Sequence, residues 1–492
     1  MTRRTFLAAS ISARAASGAG ARNVLFITID DLRPQLGCYG DRLARTPHID
    51  RLASRGLVFE RAYCQQALCS PSRTSLLTGR RPETTRVRDL TTHFRKTIPD
   101  AVTLPEYFKR NGYYSHGIYK VFHLAGAAPR IGNMNDPQSW SDELELPDRP
   151  VYGPRGQALL EADWESYKRD RAKGIIRPVR SLAVEAPDLA DEELSDGEAA
   201  RRAAEFLRRN RGRRFFLAVG FYKPHLPYVA PKQYWDLYRE SGLPLPANRF
   251  PPKGAPPFAV QGTGELRNFV DIPKEGPISE ELGRRLLHGY LASVSYVDAQ
   301  VGLLLDELDR LGLRGNTVVV LLGDNGYQIG EHDMWSCKHT NFESSARVPL
   351  IVSPPGMARG RKTAALVELV DVYPTVAELA GLPVPAGLEG ISLRPLIDDP
   401  GRPWKRAAFS EYPRGGRLGI SVRTARYRYT EWRRPGQPAD TVELYDHETD
   451  PQENVNVAAE PERAAALREL RELLNSGWRA ALPAGPAGGA TR

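Results

Sequence analysis

Short apolar runs recur along the chain, and they lack the polar alternation of a half-exposed strand. β-branched and aliphatic side chains follow one another in them, which is typical of strands buried on both faces of an α/β sheet. Four of the runs lead directly into polar clusters, and the last follows one. The runs are Asn23–Ile29, Tyr113–Tyr119, Phe215–Gly220, Thr317–Leu322 and Val348–Val352.

Helical patterns separate these runs. Thr46 and Pro47 suit the N-cap and first turn of one helix. Ser195 and Glu198 have the spacing of a capping box at the start of another, and Gly312 can close a third. Strands that alternate with helices, with polar groups after the strand ends, predict an α/β sheet with its site along one edge.

The pattern changes after about residue 395. Short aromatic and β-branched runs, "ISVRTARYRYTEW" and "TVELYDHETDP", precede a helical segment from Glu460 to Trp478. We therefore predict a catalytic domain over residues 22–395 and a smaller C-terminal α+β subdomain over 396–482. Residues 483–492 are rich in Gly, Ala and Pro and are predicted to form a flexible tail.

Two long segments, residues 124–190 and 241–278, read as irregular and rich in Pro and charged side chains. Loops of this length inside a domain are usually functional or disordered. We expect them to carry whatever selects the substrate.

The N-terminus begins "MTRRTFLAASISARAASGAG". Arg3 and Arg4, followed by a short apolar stretch and small residues, resemble a twin-arginine export signal over residues 1–21. The alternative is a disordered basic tail. The first interpretation predicts a periplasmic or secreted protein, and the second a cytoplasmic one. No apolar run approaches the length of a membrane span, so we expect no transmembrane segment.

Positive charge exceeds negative charge in this chain. It has 68 Lys and Arg residues against 59 Asp and Glu, a formal net charge of +9. Such an excess suits a polyanionic partner. Neither zinc-finger spacing nor an RNA-binding signature is present, so nucleic acid is not the expected ligand.

Oxygen-bearing side chains follow two of the predicted strands. Asp30 and Asp31 end the first run, and Asp324 and Asn325 end the fourth. These groups suit Ca²⁺ or Mg²⁺ rather than zinc. The alternative is that both pairs simply form turns, where Asp and Asn are common.

Cations and imidazoles follow the strands in the same way. Together they could bind a tetrahedral anion, although each taken singly could be solvated surface. They are Arg73, Lys120, His123, Lys223, His225, Lys338 and His339.

Cys69 lies in a polar segment, "QQALCSPSRTSLLTGRRP". A cysteine phosphatase loop needs a longer spacing than the three residues that separate Cys69 from Arg73. Cys64 and Cys69 are too far apart for a Cys-x-x-C redox pair, and no Gly-x-Ser-x-Gly elbow is present. With four cysteines there is no disulfide framework, and one bridge among Cys38, Cys64 and Cys337 is left open.

The segment "CSPSRTSLLTGR" resembles the signature of the formylglycine-dependent sulfatases. Further segments agree in order, among them "NVLFITIDDLRPQLGCYG", "TPHIDRLASRG" and "GDNGYQIGEHDMW". "KVFH", "FLAVGFYKPH" and "ASVSYVDAQVG" are most similar to the iduronate-2-sulfatase branch. The resemblance covers about residues 22–478. It implies the alkaline phosphatase superfamily fold, a large mixed sheet between helices with a smaller C-terminal domain.

The resemblance also implies the site. A formylglycine-generating enzyme would oxidise Cys69 to formylglycine. The metal would be calcium, and magnesium is the less expected alternative. The formylglycine at position 69 would hold it together with Asp30, Asp31, Asp324 and Asn325. The groups around the sulfate would be Arg73, Lys120, His123, His225 and Lys338, with His339 as a further substrate-binding candidate.

The family chemistry uses the hydrated aldehyde, whose two hydroxyls lie on one carbon. One attacks sulfur, and the other lets the covalent sulfate leave by elimination. His225, with Lys338, would protonate the leaving oxygen, and His123 would be the elimination base. Two departures are visible: Tyr119 stands where many relatives have Gly, and "WSCKH" is one residue longer around Lys338.

We therefore expect a sulfatase that acts on 2-O-sulfated uronic acid units of glycosaminoglycan-like or other sulfated glycans. The alternatives are a phosphonate or phosphate ester hydrolase of the same superfamily and a non-catalytic protein that binds polyanions. Oligomeric state does not follow from the sequence.

Overall fold

The structure is a computed structural model, and it describes residues 22–124, 133–175, 180–260 and 264–483. The predicted export signal over residues 1–21 lies outside the described residues. So does the predicted C-terminal tail, apart from its first residue.

The central sheet contains eight strands in the order β10-β2-β11-β7-β1-β5-β3, with β12 paired to β2. Strands β7, β1, β5 and β3 run parallel, whereas β11 runs antiparallel to both β7 and β2. The carboxyl ends of β1, β3, β5 and β7 therefore meet at one edge, where the functional groups lie. The strands are β1 (Asn23–Ile29), β2 (Leu57–Tyr63), β3 (Tyr114–Tyr119), β4 (Val184–Glu185), β5 (Phe215–Phe221), β6 (Tyr228–Val229), β7 (Thr317–Gly323), β8 (Gln328–Ile329), β9 (Trp335–Cys337), β10 (Arg347–Val348), β11 (Leu350–Ser353), β12 (Arg361–Glu368), β13 (Ala408–Arg414), β14 (Arg417–Arg423), β15 (Tyr427–Arg433) and β16 (Ala439–Asp446).

Helices cover both faces of this sheet. Leu25 and Ile27 of β1 pack into the core on one face, and Val24 and Phe26 pack into the core on the other. This two-sided burial explains why the strands read as unbroken apolar runs. The helices are α1 (Pro47–Ala53), α2 (Cys69–Thr78), α3 (Pro82–Thr85), α4 (Leu104–Arg110), α5 (Pro154–Ala172), α6 (Ser195–Arg209), α7 (Lys232–Trp235), α8 (Glu280–Arg310), α9 (Glu343–Ala346), α10 (Val372–Leu379), α11 (Arg394–Asp398) and α12 (Ala464–Ser476).

A second sheet, β13-β14-β15-β16, is antiparallel throughout. Helix α12 packs Leu470 and Leu474 against it, and Val422 and Tyr429 of the sheet belong to the same core. The expected α/β fold, a large mixed sheet between helices with a smaller C-terminal α+β unit, is confirmed. The boundary near residue 395 stays a prediction.

Three local predictions were wrong. Residues 124–190 are not uniformly irregular, because they contain the 19-residue helix α5. The Val348–Val352 run is two strands, β10 and β11, which Pro349 separates. The capping box at Ser195 does not form, because Glu198 accepts a hydrogen bond from the backbone of Arg149 instead.

Two further findings concern the chain as a whole. All four cysteines carry free thiols, so none of the candidate bridges is formed. Among the described residues, none of the helices combines the length and apolarity needed to span a bilayer.

Candidate active site

Two parallel strands bring the predicted metal ligands together. Asp30 and Asp31 directly follow β1, and Asp324 and Asn325 directly follow β7, its hydrogen-bonded neighbour. The backbone N–H of Asp31 donates to Oδ1 of Asp324 at 3.1 Å. Asp31 adopts φ +60°, so the chain turns sharply directly after β1. With this turn, the carboxylates of Asp30, Asp31 and Asp324 lie close together.

The carboxylates form a compact, fully buried oxygen cluster. One oxygen from each of Asp30, Asp31 and Asp324 lies within 4.8 Å of the others. The side-chain amide of Asn325 donates to Oδ1 of Asp31 at 2.8 Å. Oδ2 of Asp31 and Oδ1 of Asn325 have no hydrogen-bond partner among the described residues. Buried acceptors without donors are costly, and a hard divalent cation would satisfy both, so these residues fit such an ion.

Cys69 is the first residue of α2 and is 2% exposed. Its Sγ lies 3.2 Å from the ammonium nitrogen of Lys338 and within 4.8 Å of ligand atoms of Asp30 and His225. Burial first, and the negative charge of Asp30 second, raise the pKa of the thiol well above its ordinary value. An unmodified Cys69 would therefore stay protonated, which argues against thiolate chemistry.

Arg73, one turn further along α2, binds two carboxylates of the oxygen cluster. Its Nε donates to Asp324 at 2.9 Å and its Nη2 to Asp30 at 3.1 Å. Its Nη1 donates to Oγ1 of Thr28 and to the carbonyl of Val121. The guanidinium is 1% exposed and cross-braces the strand ends.

Two ammonium groups complete the charge balance. Lys120, directly after β3, forms an ion pair with Asp30, and its Nζ lies 4.1 Å from the ring centroid of Tyr222. Lys338 forms an ion pair with Oδ1 of Asp31 at 2.5 Å. Both are buried, so each charge is held in a low-dielectric position, where it acts strongly on an anion.

The carboxylates do not titrate alike. Burial opposes ionisation of Asp30, but the charges of Lys120 and Arg73 outweigh it and lower the pKa of its carboxyl well below the ordinary value. Burial raises the pKa of Asp31 to about 6 and that of Asp324 to about 7, against the opposing charges of Lys338 and Arg73. Burial is the first cause of both raised pKa values, and three buried cations face the three carboxylates.

His225 and His123 are both held as neutral imidazoles. Nδ1 of His225 donates to the carbonyl of Leu226 at 2.7 Å, so its Nε2 faces Asp31 at 3.8 Å. Burial and the charges of Lys338 and Lys120 lower the pKa of His225 well below its ordinary value. Burial and the charge of Lys120 lower the pKa of His123 to about 3, and its Nδ1 has no partner among the described residues.

Two sequence candidates lie apart from the nucleophile. His339 packs its ring 6.0 Å from that of Tyr412, and its carbonyl accepts a hydrogen bond from Arg414 at 3.0 Å. Lys223 donates to the carbonyl of Pro227 at 2.5 Å and faces Asp196, whose charge acts on it. Lys223 therefore braces a loop, and His339 connects the site to the C-terminal sheet.

Tyr119 occupies a strained backbone position. Its φ is +61°, in the left-handed region that favours glycine. A bulky residue there costs about 1–3 kcal/mol. Burial of the ring, 2% exposed, and a hydrogen bond from its hydroxyl to Ser195 offset that cost.

Three site residues carry no sequence signal. Oε1 of Glu265 lies 3.6 Å from Nε2 of His225, and the ring of Tyr222 supports Lys120. The ring of Tyr412 lies 6.0 Å from that of His339, the residue directly after Lys338, so it lies next to the segment that carries Lys338. Glu265 does fall in the segment 241–278 that we expected to select substrate.

Comparison with known proteins supports the geometry. The sulfatase family profile matches residues 22–382, and the profile of the N-sulphoglucosamine sulphohydrolase C-terminal region matches residues 330–479. The iduronate 2-sulfatase of Mus musculus is 34% identical over 548 residues, covering 94% of this chain and 96% of the mouse protein.

Two solved structures share the fold. One, solved with its substrate D-glucosamine-2-N,6-O-disulfate, is 22% identical with a TM-score of 0.71, covering 93% of this chain and 98% of that one. The phosphonate monoester hydrolase of Agrobacterium radiobacter is 25% identical with a TM-score of 0.72, covering 93% and 95%.

Proposed function

The chain belongs to the sulfatase family and hydrolyses sulfate esters, and we propose that its substrate is a sulfated glycan with 2-O-sulfate on a uronic acid. One observation carries the proposal. Cys69, the oxygen cluster and three buried cations converge at one edge of the sheet, with Lys338 touching both Cys69 and Asp31. Such a site can hold a cation, a nucleophile and a tetrahedral anion together.

The nucleophile is formylglycine, made from Cys69 by a formylglycine-generating enzyme. Its hydrate supplies an attacking hydroxyl and a second hydroxyl through which sulfate is released. The sequence Cys69-Ser-Pro-Ser-Arg73 is the segment that would be recognised before folding, because Cys69 is 2% exposed in the folded chain.

The metal is held by Asp30, Asp31, Asp324 and Asn325, with modified Cys69 as a further ligand. We favour Ca²⁺ over Mg²⁺ because Ca²⁺ accepts an irregular set of carboxylate and amide oxygens. When bound, the ion supplies positive charge that stabilises an oxyanion at the nucleophile.

Lys120 and Lys338 bind the sulfate oxygens, and Arg73 fixes Asp30, the carboxylate with which Lys120 is paired. Both ammonium groups are buried and oriented by ion pairs, so they need no reorganisation when the anion arrives. Sulfate binding adds negative charge near His225, which opposes the effect of the two lysines and favours its protonated form.

His225 then donates a proton to the leaving oxygen, with Lys338 as its neighbour. Hydrogen bonding of its Nδ1 to Leu226 leaves Nε2 aimed into the site. His123 accepts the proton that accompanies sulfate release, because its neutral ring offers a buried, unpartnered nitrogen. His339 contributes to substrate binding through its position beside Tyr412.

The glycan assignment rests on similarity to the mouse iduronate 2-sulfatase and on the excess of +9 formal charge. We also propose export through the signal over residues 1–21, which would place the enzyme with extracellular or periplasmic glycans. Cell fractionation of the wild type and of a variant with both Arg3 and Arg4 changed to Lys tests this step.

The experiment compares three substrates on one preparation. A 2-O-sulfated uronate disaccharide, an aryl sulfate and an aryl phosphonate are offered to the wild type and to Cys69→Ala. We expect sulfate release from the first two and none from the variant. Peptide mass spectrometry across residues 68–73 should show loss of sulfur and two hydrogens and gain of one oxygen.

A clear preference for the phosphonate would overturn the sulfatase substrate class in favour of the hydrolase chemistry of the Agrobacterium protein. Full activity with only an unmodified thiol at Cys69 would overturn the nucleophile. Turnover of aryl sulfate without turnover of the disaccharide would overturn only the uronate assignment.

A further inference from the structure

A hairpin of the C-terminal sheet lies against the segment that directly follows Lys338. It consists of the end of β13, the turn at Gly415 and Gly416, and the start of β14. Two hydrogen bonds attach this hairpin to the catalytic domain. Arg414 donates to the carbonyl of His339 at 3.0 Å, and Asn341 donates to the carbonyl of Gly419 at 3.1 Å.

The hairpin brings one cation to the rim of the sulfate site. Arg414 follows Tyr412 by two residues in β13, so both side chains leave the strand on the same face. The guanidinium carbon lies 5.6 Å from the centroid of the Tyr412 ring. Arg414 also contacts the residue directly after Lys338, whose ammonium lies 3.2 Å from Cys69.

Tyr412 connects this cation to the segment that follows β9. Its side chain is 8% exposed, and burial raises the pKa of its phenol to about 12. Its ring centroid lies 6.0 Å from that of His339, the residue directly after Lys338. The neutral phenol and Arg414 therefore both lie against the segment that carries Lys338.

We propose that Arg414 and Tyr412 form a subsite for the carboxylate of the uronic acid whose sulfate is cleaved. The inference rests on the proposed uronate substrate and adds the residues that select it. An arginine fork matches a carboxylate in a bidentate pair, and a phenol can donate to the same oxygens. In a 2-O-sulfated uronate the carboxylate lies across one sugar ring from the sulfate, and Arg414 contacts the residue directly after Lys338, one of the groups proposed to bind the sulfate.

Half-burial supports this role for Arg414. Burial lowers the pKa of its guanidinium, because the charged form has lost part of its solvation. A carboxylate arriving at this position would add a charge-assisted contact without a large ordering cost, because the ring of Tyr412 and the carbonyl of His339 already orient the side chain.

The same hairpin offers a matched control. Arg417 pairs with Arg414 across the hairpin, but its guanidinium forms an ion pair with Asp440 at 2.8 Å and lies 4.6 Å from the ring of Phe258. Its guanidinium is therefore already engaged by a carboxylate of the C-terminal sheet. Arg417→Gln removes the same charge from the same hairpin and should leave turnover unchanged.

The test measures kcat and KM for wild type, Arg414→Gln, Arg414→Lys and Arg417→Gln. The substrates are a 2-O-sulfated uronate disaccharide, its carboxyl-reduced counterpart, and an aryl sulfate. For Arg414→Gln we expect kcat/KM on the uronate to fall about 10- to 100-fold, mostly through KM, since one charged hydrogen-bonded contact is lost. Turnover of the carboxyl-reduced substrate and of aryl sulfate should stay within about twofold of wild type, and Arg414→Lys should restore part of the loss.

Equal losses on all three substrates would show a structural role and overturn the subsite. So would an unchanged preference for the uronate in Arg414→Gln. A second pair of disaccharides, with and without sulfate on the neighbouring sugar, tests whether Arg414 binds that sulfate instead. If Arg414→Gln loses activity only when that sulfate is present, the carboxylate assignment is overturned. If wild type turns over the carboxyl-reduced substrate as well as the uronate, both the subsite and the uronate assignment fail, while aryl sulfate turnover still reports an active enzyme.

Discussion

The ammonium of Lys338 stands between the two halves of the active site, 3.2 Å from Sγ of Cys69 and 2.5 Å from Oδ1 of Asp31. Through this contact the residue after β9 couples the nucleophile on α2 to the carboxylates after β1. Burial opposes the ammonium charge, but Asp31 raises the pKa of Lys338 well above the ordinary value, so the group stays charged. Lys338 can therefore act as a fixed cation throughout turnover.

Replacing Lys338 with Met should lower kcat on an aryl sulfate by about 10²- to 10³-fold, the usual loss when one preorganised donor to developing charge is removed. Steady-state kinetics test this, and peptide mass spectrometry must show that conversion of Cys69 is unchanged. Lys338→Arg keeps the charge and should recover part of the rate. Activity within a few-fold of wild type in Lys338→Met would contradict the assigned role.

Removal of divalent metal should destabilise the protein as well as inactivate it. Asp31 and Asn325 each carry a buried acceptor without a partner among the described residues, and a cation would satisfy both. At free Ca²⁺ about 100 times its dissociation constant, binding should add about 2.7 kcal/mol to the free energy of unfolding. Thermal melts with chelator and with added Ca²⁺ or Mg²⁺ measure the shift.

Asp324→Asn should reduce that metal-dependent shift, because it removes a carboxylate from the cluster. Asp298→Asn is the matched control: this buried carboxylate accepts from the backbone of His48 and Ile49 but lies outside the cluster. It should lower stability equally with and without chelator. The same chelator shift in Asp324→Asn as in wild type would contradict the metal assignment.

The role of His225 predicts a dependence on the leaving group. Loss of a general acid costs about 10²- to 10⁴-fold when the leaving oxygen is basic. His225→Ala should therefore lose far more activity on a sugar sulfate than on an activated aryl sulfate. kcat measured across a series of leaving-group pKa values should fall more steeply for the variant.

His288→Ala is the matched control for that series. His288 is also a buried imidazole next to a carboxylate, with Nδ1 3.0 Å from Glu240, but it packs against Trp235 away from the nucleophile. Its series should parallel that of wild type. An equal slope in His225→Ala would remove His225 from proton donation.

The sequence predicts those site residues that directly follow a recognisable buried strand. Asp30 and Asp324 follow buried parallel strands, so their meeting at one edge is a consequence of the α/β sheet. The residues from the C-terminal sheet are different. Tyr412 and Arg414 reach the site through a hairpin more than three hundred residues after Cys69, and a local pattern does not encode which surface the hairpin covers.

The missed helix α5 has a related cause. Only Gly156 and Leu160 are buried in it, so its 19 residues lack the apolar period that marks a helix in sequence. The capping box at Ser195 failed because tertiary contacts took both of its partners: the hydroxyl of Tyr119 donates to Ser195, and the backbone of Arg149 donates to Glu198.

The last prediction concerns the junction between the two sheets. Lys405, 5% exposed, donates to Glu368 and Asp371 at 2.7 Å, and Arg81 forms a two-pronged pair with Glu368 at 2.7 Å. Lys405→Met should lower the free energy of unfolding by about 3–5 kcal/mol, because buried Asp371 loses its paired cation and Glu368 keeps only Arg81. Lys232→Met, which removes an exposed pair with Asp236, should cost at most about 1 kcal/mol.

Low pH should reduce the difference in the free energy of unfolding between wild type and Lys405→Met. Burial opposes the charge of Glu368, but Arg81 and Lys405 lower its pKa from 4.5 to about 2. A carboxyl whose pKa is lower in the folded state stabilises the fold above pH 4.5 and loses that contribution as the pH falls towards 2. Chemical denaturation at several pH values should therefore show the Lys405→Met deficit shrinking between pH 4.5 and 2, whereas a constant deficit would mean that Lys405 acts through packing instead of charge.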